Sequence, residues 1–161
     1  MKRAYVALGA NLGDPRATVT AALEALADIE ATAVVTRSSL YRTAPVGLRH
    51  QPDFINAVAA LDTRLAPVAL LEALFALEAR FGRSRSVPNA PRTLDLDLLL
   101  HGDTQLAGAA LTLPHPRLHE RAFVLVPLLE IAPDCRIPGR GSVAHFAALC
   151  ADQRIALLES A

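Results

Sequence analysis

From position 94 the chain alternates leucine and aspartate before settling into leucine alone: Leu94-Asp95-Leu96-Asp97-Leu98-Leu99-Leu100. Side chains alternate across a strand, so this spacing predicts a strand with Leu94, Leu96 and Leu98 on one face and Asp95 and Asp97 on the other. Other runs predict strands at 5–8, at 32–41 with Val34, Val35 and Leu40 as apolar members, and at 54–61, where Phe54, Asn56 and Val58 share a face. Two stripes of helical period stand between them. Asp14 and Pro15 open the first, which carries Val19, Ala22, Leu23 and Leu26. Pro67 opens the second, which carries Leu70, Leu71, Leu74, Leu77 and Phe81 and stops at Gly82.

Beyond the aspartate strand the pattern gives a turn at 101–103, a short strand at 111–113 and an apolar helix over 123–129 with Pro127 in its first turn. A helix capped by Ser142 and a closing edge strand at 155–158 complete it. The order βαββαβ, with more elements behind it, predicts an α+β fold: a ferredoxin-like core, an antiparallel sheet flanked by helices, and extra C-terminal elements. No repeat or linker divides residues 1–161, which read as a single domain.

Composition narrows the function. The 161 residues are 52% hydrophobic, enough for a packed core. No apolar run reaches the ~20 residues of a membrane span and no secretory pattern opens the chain, so a cytoplasmic protein without a membrane partner is expected. A formal net charge of +0 gives no support to nucleic-acid binding. Cys135 and Cys150 lack metal-site spacing and read as reduced fillers.

The aspartates do not fit a strand that needs only a polar face. Asp is a poor strand former, and two residues of rise put the two carboxylates about 6.6 Å apart. At an effective dielectric of about 20 they repel by about 2–3 kcal/mol. A cation over the pair would relieve this: a divalent metal, or arginines from the stretch just upstream. Oxygen-only ligands suit Mg²⁺, which takes one or two carboxylates and shares phosphate oxygens. A solvated strand face is the plain alternative. The upstream stretch 82–92 holds Arg83, Arg85 and Arg92, two prolines and no acid, and reads as a long loop whose guanidinium forks match phosphate. A second long loop runs over 42–53. Asn56, an amide in an apolar strand, either pairs with a neighbouring loop or reads the edge of a heterocycle. Glu78 stands near a helix C-terminus, where an acid opposes the dipole. His115, with Arg117 and Arg121, reads as a phosphate contact protonated beside its ligand. The glycines at 9 and 13 read as a tight turn over a substrate and not as a phosphate loop, since no Gly-Lys-Ser/Thr follows.

Seven stretches in order resemble the 6-hydroxymethyl-7,8-dihydropterin pyrophosphokinases of folate biosynthesis: ALGANLGD at 7–14, SSLYRTAPVG at 38–47, QPDFINAV at 51–58, RFGRSR at 80–85, PRTLDLDLLL at 91–100, LPHPRLHERAF at 113–123 and PLLEIAP at 127–133. The specific part is PRTLDLD followed by Pro114-His115 and by Arg121 and Phe123. The resemblance implies transfer of pyrophosphate from ATP to the pterin hydroxymethyl group, leaving AMP. It implies that Asp95 and Asp97 hold two Mg²⁺ ions, that Arg83 and Arg92 clamp the phosphates, and that Arg85 reaches in as a lid closes. His115 and Arg121 would contact the phosphate chain, with Thr112 and Glu78 near the nucleotide. Asn56 would read the pterin edge, Phe54 and Phe123 would sandwich the ring, and the backbone from Thr43 to Val46 would complete the pocket. ATP and the pterin are the expected partners of a monomer. The family often carries Trp in the lid where this chain has Pro88-Asn89-Ala90-Pro91. A ligand-sensing module on the same scaffold and an RNA-binding sheet are the competing readings; the second lacks the aromatic strand pair that task uses.

Overall fold

In this computed structural model, which describes residues 1–45, 50–82 and 93–160, the chain runs β1 (Lys2–Ala10), α1 (Pro15–Ala25), β2 (Thr32–Arg37), β3 (Leu40–Thr43), β4 (Phe54–Thr63), α2 (Pro67–Arg80), β5 (Asp95–His101), β6 (Leu106–Ala107), β7 (Thr112–Leu113), α3 (Ala122–Ile131), β8 (Arg136–Ile137), β9 (Gly141–Ser142), α4 (Val143–Leu149) and β10 (Ile155–Glu159). The main sheet is ordered β10-β3-β4-β1-β5, with β2 also on β4, and the pairings are antiparallel. This is the expected ferredoxin-like core, and the closing strand β10 forms its edge.

Alternation along β1 feeds two cores. Ala4, Val6, Leu8 and Ala10 join Leu94, Leu96 and Leu98 against the stripes of α1 and α2, including Val19, Leu23, Leu70 and Leu74. Ala7 looks the other way, with Val58, Leu99 and Leu100, onto Ala122, Leu125 and Leu128 of α3 and Val143 of α4. Burying one such leucine contributes about 1.5–3 kcal/mol, so the layers are held by many equal contributions. Both thiols sit at the second core, and burial pushes each one up, which suits fillers. Among the described residues no helix is long and apolar enough to cross a membrane.

Helix ends follow the sequence. Asp14 accepts from the Ala17 N–H at 3.1 Å, with Pro15 at the first position of α1, and Ser142 accepts from the His145 N–H at 3.1 Å. Gly82 takes φ +79° after α2, a conformation that suits a residue without Cβ.

Four local expectations need correction. The strand read over 32–41 is two strands, broken at Ser38 and Ser39. Ser38 replaces a ladder rung with its side chain: its N–H donates to Val58 O at 2.8 Å and its Oγ accepts from the Val58 N–H at 2.9 Å. The strand at 111–113 is only Thr112–Leu113. Pro127 lies at the sixth position of α3, past the first turn. That position forfeits a helical hydrogen bond and costs about 3 kcal/mol, offset by burial of Ala122, Val124, Leu125 and Leu128. Gly9 belongs to β1 and not to a turn.

The break between β2 and β3 is clamped from α3. Glu130 accepts from the Ser39 N–H at 2.9 Å, from Ser39 Oγ–H at 2.7 Å and from Tyr41 O–H at 2.7 Å. Burial would raise this carboxyl, but the Ser39 and Tyr41 donors outweigh it and hold it below its usual range. Burial and the bond to Glu130 push the Tyr41 phenol up. A carboxyl held low stabilises the fold above its unfolded pKa, and that contribution disappears as pH falls through the depressed value. Glu130→Ala is expected to cost about 1–3 kcal/mol, because the Ser39 and Tyr41 donors lose their acceptor. Chemical denaturation at pH 7 and at acid pH checks this: the gap between variant and parent narrows as pH falls.

Candidate active site

Residues opposite one another in an antiparallel ladder share a face, so the register of β1 sets out the site. Gly9 pairs with Asn56 on one side and with Asp95 on the other; two residues earlier, Ala7 pairs with Val58 and Asp97. These rows lie on the α3 face. At their β3 end a cavity opens, lined by Gly9, Thr43, Phe54, Asn56, Asp95, Asp97, Arg121 and Phe123. A second cavity, lined by Leu71, Phe75, Leu98, Leu111, Thr112 and His115, also has Asp97 in its wall. Asp97 is therefore where the two meet.

Two aromatic side chains border the first cavity. Phe54 enters from the start of β4 and Phe123 from the first turn of α3, both half-buried. The Arg121 guanidinium stands 5.4 Å from the Phe123 ring centroid, a cation–π distance. Thr43 Oγ1–H donates to Asn56 Oδ1 at 2.6 Å. That bond commits the amide oxygen and leaves the amide N–H₂ as the group a ligand can meet.

The second cavity depends on an irregularity. Between Tyr5 and Val6 the β1–β5 register shifts, leaving Leu99 as the extra residue of a bulge. The Leu99 carbonyl accepts from the His115 N–H at 2.9 Å and so docks the 113–121 segment beside the aspartates. His115 Nδ1 accepts from the Arg117 N–H at 3.2 Å, which places its own proton on Nε2. Burial, and then Arg121, outweigh Asp95 and push this imidazole down to about 4. Without a phosphate beside it, the imidazole is therefore held neutral. The sequence shows the basic neighbours but not the burial.

Glu78 is not in either wall. Its side chain is 1% exposed and Oε2 accepts from the Leu96 N–H at 2.8 Å, under β5 and between the two aspartates. Val46, Arg83, Arg85 and Arg92, all named from the sequence, lie outside the described residues. Asp95 and Asp97 are both half-exposed toward the first cavity. Among the described residues no group of three or more His, Cys, Asp and Glu forms a metal cage. A pair of carboxylates with room for other oxygens fits a magnesium ion that shares phosphate ligands.

The family model described as 7,8-dihydro-6-hydroxymethylpterin-pyrophosphokinase matches residues 5–133. The chain belongs to that family. The 2-amino-4-hydroxy-6-hydroxymethyldihydropteridine pyrophosphokinase of Pseudomonas aeruginosa is 46% identical over 161 residues, spanning 100% of this chain and 99% of its own. The Haemophilus influenzae enzyme of the same name is 42% identical over 155 residues, spanning 96% and 97%. The crystal structure of Plasmodium falciparum HPPK-DHPS wild type with pteroate superposes with a TM-score of 0.74 over 94% of this chain and 42% of that one; at 11% identity it bears on the fold alone.

For this pyrophosphokinase, reading the residues singly misses two that shape the site. Gly9 is one; a glycine between apolar residues resembles a turn, and only the register places it beside Asn56. Asn11 is the other. It is 1% exposed and its Nδ2–H donates to Gln51 Oε1 at 2.7 Å and to Pro52 O at 3.0 Å, tying the entry to β4 to the end of β1. The signal was a polar residue next to a strand end with nothing yet to bond.

His115 supplies a pH prediction. Its folded value lies below the ordinary 6.5, so between the two the unfolded chain binds more protons and stability rises with pH. The contribution is present above 6.5 and is lost as pH falls toward 4. An NMR titration of the ligand-free protein is expected to show the His115 ring neutral at pH 6; a midpoint at or above 6.5 contradicts the burial argument.

Proposed function

We propose that this pyrophosphokinase transfers the terminal pyrophosphate of ATP to the hydroxymethyl group of 6-hydroxymethyl-7,8-dihydropterin, in folate biosynthesis, with the flat ring in the first cavity and the nucleotide in the second. The observation that carries this is that Asp97 borders both cavities, with Asp95 beside it in the first. A group passing from one ligand to the other has to cross at that point.

The chain's own part is placement and charge. Phe54 and Phe123 hold the ring between them while Asn56 and Thr43 fix its edge, so the hydroxyl faces the Asp95–Asp97 face of β5. Thr112 and His115 border the nucleotide, and Arg121 brings positive charge to the wall of the first cavity. Asp95 and Asp97 are the residues that would hold Mg²⁺, two ions on our reading. Bound there, Mg²⁺ would neutralise phosphate charge that builds up at transfer. The substrate hydroxyl is the nucleophile, so no side chain has to be one, and no general base is assigned. Arg83 and Arg92 are proposed to clamp the transferred group, with Arg85 beside them. Glu78 acts from beneath, by holding the β5 backbone, and not by contact with the nucleotide. Orientation and electrostatic stabilisation of this kind supply most of the acceleration in phosphoryl transfer.

The decisive experiment is AMP release with ATP, Mg²⁺ and the pterin. AMP that depends on the pterin supports transfer, whereas nucleotide and pterin binding without AMP favours a sensing module. Asp97→Ala is expected to cut turnover by at least about a thousandfold. The same variant is expected to lose Mg²⁺-dependent binding of a non-hydrolysable ATP analogue while staying folded; unchanged Mg²⁺ dependence would count against a metal role. Arg92→Ala is expected to lower kcat far more than it raises the pterin KM, which single-turnover kinetics separate from binding.

A further inference from the structure

Gly9 has no backbone reason to be glycine. It sits inside β1, its φ is not in the left-handed range, and its partners on both sides are regular ladder pairs. Glycine inside a strand is a cost, because it orders a freer chain and packs no side chain. What surrounds it explains the choice. A Cβ at position 9 would lie 2.9 Å from Asn56 Nδ2 and 3.9 Å from Phe54 Cδ1. The first distance is too short for a carbon against an amide nitrogen; the second is ordinary contact with the edge of the ring wall.

The atom that would be struck is the one the site has left for a ligand. Asn56 is 6% exposed and its Oδ1 is engaged by Thr43 at 2.6 Å, which leaves Nδ2 as the outward donor. A methyl group at position 9 would have to push that amide aside, break its bond to Thr43, or occupy the space beneath a flat ligand. The second cavity contains none of Gly9, Thr43, Phe54 or Asn56 in its wall, so its contents would not feel the change.

Resting on the transfer reading above, we infer that Gly9 is a specificity-determining residue for the heterocycle. Its missing side chain keeps the Asn56 N–H₂ open to an acceptor on the edge of a planar ring, and any larger residue closes this half of the site while sparing the nucleotide half. Gly9 acts through Asn56 and so is a positioning residue.

The test is Gly9→Ala, with Asn56→Ala and the double variant beside it. Dissociation constants are measured by calorimetry for the oxidised analogue 6-hydroxymethylpterin and, separately, for a non-hydrolysable ATP analogue with Mg²⁺. Gly9→Ala is expected to weaken the pterin at least tenfold and to raise its KM by a similar factor, with the nucleotide constant within twofold. The double variant is expected to bind pterin no worse than Asn56→Ala alone, because the amide that the methyl displaces is already gone. Pterin binding within twofold of the parent in Gly9→Ala, or equal weakening of both ligands, would overturn the inference. Should Gly9→Ala melt well below the parent, recovery of the melting temperature in the double variant supports the clash with Asn56, and no recovery refutes it. If the parent itself binds nucleotide but not the pterin, the transfer reading falls and this inference with it; a parent that binds both, with an indifferent Gly9→Ala, sinks the inference alone.

Discussion

The centre of the described site, Gly9, Asn56, Asp95 and Asp97, takes its position from the pairing of β1 with β4 on one edge and β5 on the other. A shift of one residue in either ladder reverses which face each side chain meets. Slipped on β5, Asp95 and Asp97 would turn toward α2 while Leu96 and Leu98 would line the cavity. Burying an unpaired carboxylate costs several kcal/mol after relaxation, and exposing Leu96 and Leu98, now 1% and 2% exposed, would forfeit their burial as well. The apolar core is therefore what keeps the carboxylates on the cavity side. The site needs no separate device to hold its register, because the alternation that folds the sheet also aims the acids.

Two further acids fasten the helices to that frame. Glu78 reaches from the end of α2 to the backbone of Leu96, and Glu130 reaches from the end of α3 to Ser39 and Tyr41. Each bonds a strand that carries site residues: Asp95 and Asp97 on β5, Thr43 on β3. Tyr41 is paired with Asn56 in the ladder, and Thr43 with Phe54. The clamp at Glu130 thus lies one strand from the ring-binding residues, on the same helix that supplies Phe123. Hydrogen bonds to a charged acceptor are stronger than neutral ones. Placing them at helix ends fixes the angle between helix and strand, and with it the gap between Phe54 and Phe123.

What the sequence disclosed and what it withheld divide along a physical line. Period-two and period-3.6 patterns are local, and they located the main-sheet strands (with β2 and β3 read as one), the two long helices, the caps at Asp14 and Ser142, and the face shared by Phe54 and Asn56, but not the short pairs that use β6, β8 and β9. The aspartate pair was legible because it violates strand preference without a local excuse. Events that depend on a partner strand or on burial were not. The break at Ser38 depends on Val58, whose N–H donates to the Ser38 hydroxyl in place of a backbone carbonyl. Pro127 inside α3 is tolerated because of what the helix buries, which no propensity records. The burial that lowers His115 in the protein alone could not be read from its basic neighbours in sequence. Roles for Arg83, Arg85, Arg92 and Val46 came from family resemblance and stay outside the described geometry.

Carrying the acids on a strand also has an energetic consequence. On a loop, two like charges would drift apart at little cost; on β5 the ladder holds them about two residues of rise apart, roughly 6.6 Å. At an effective dielectric near 20, two carboxylates at that spacing repel by about 2–3 kcal/mol unless other groups screen them. A cation over the pair removes that repulsion, and whatever binds the native state alone stabilises it by mass action. On the proposed reading, Mg²⁺ with the nucleotide sets positive charge between the two carboxylates. Part of the binding free energy thus comes from the protein's own charges, before any contact with the ring in the first cavity is made. Such a site holds nucleotide without the pterin, and leaves recognition of the pterin to Asn56, Thr43 and the space above Gly9.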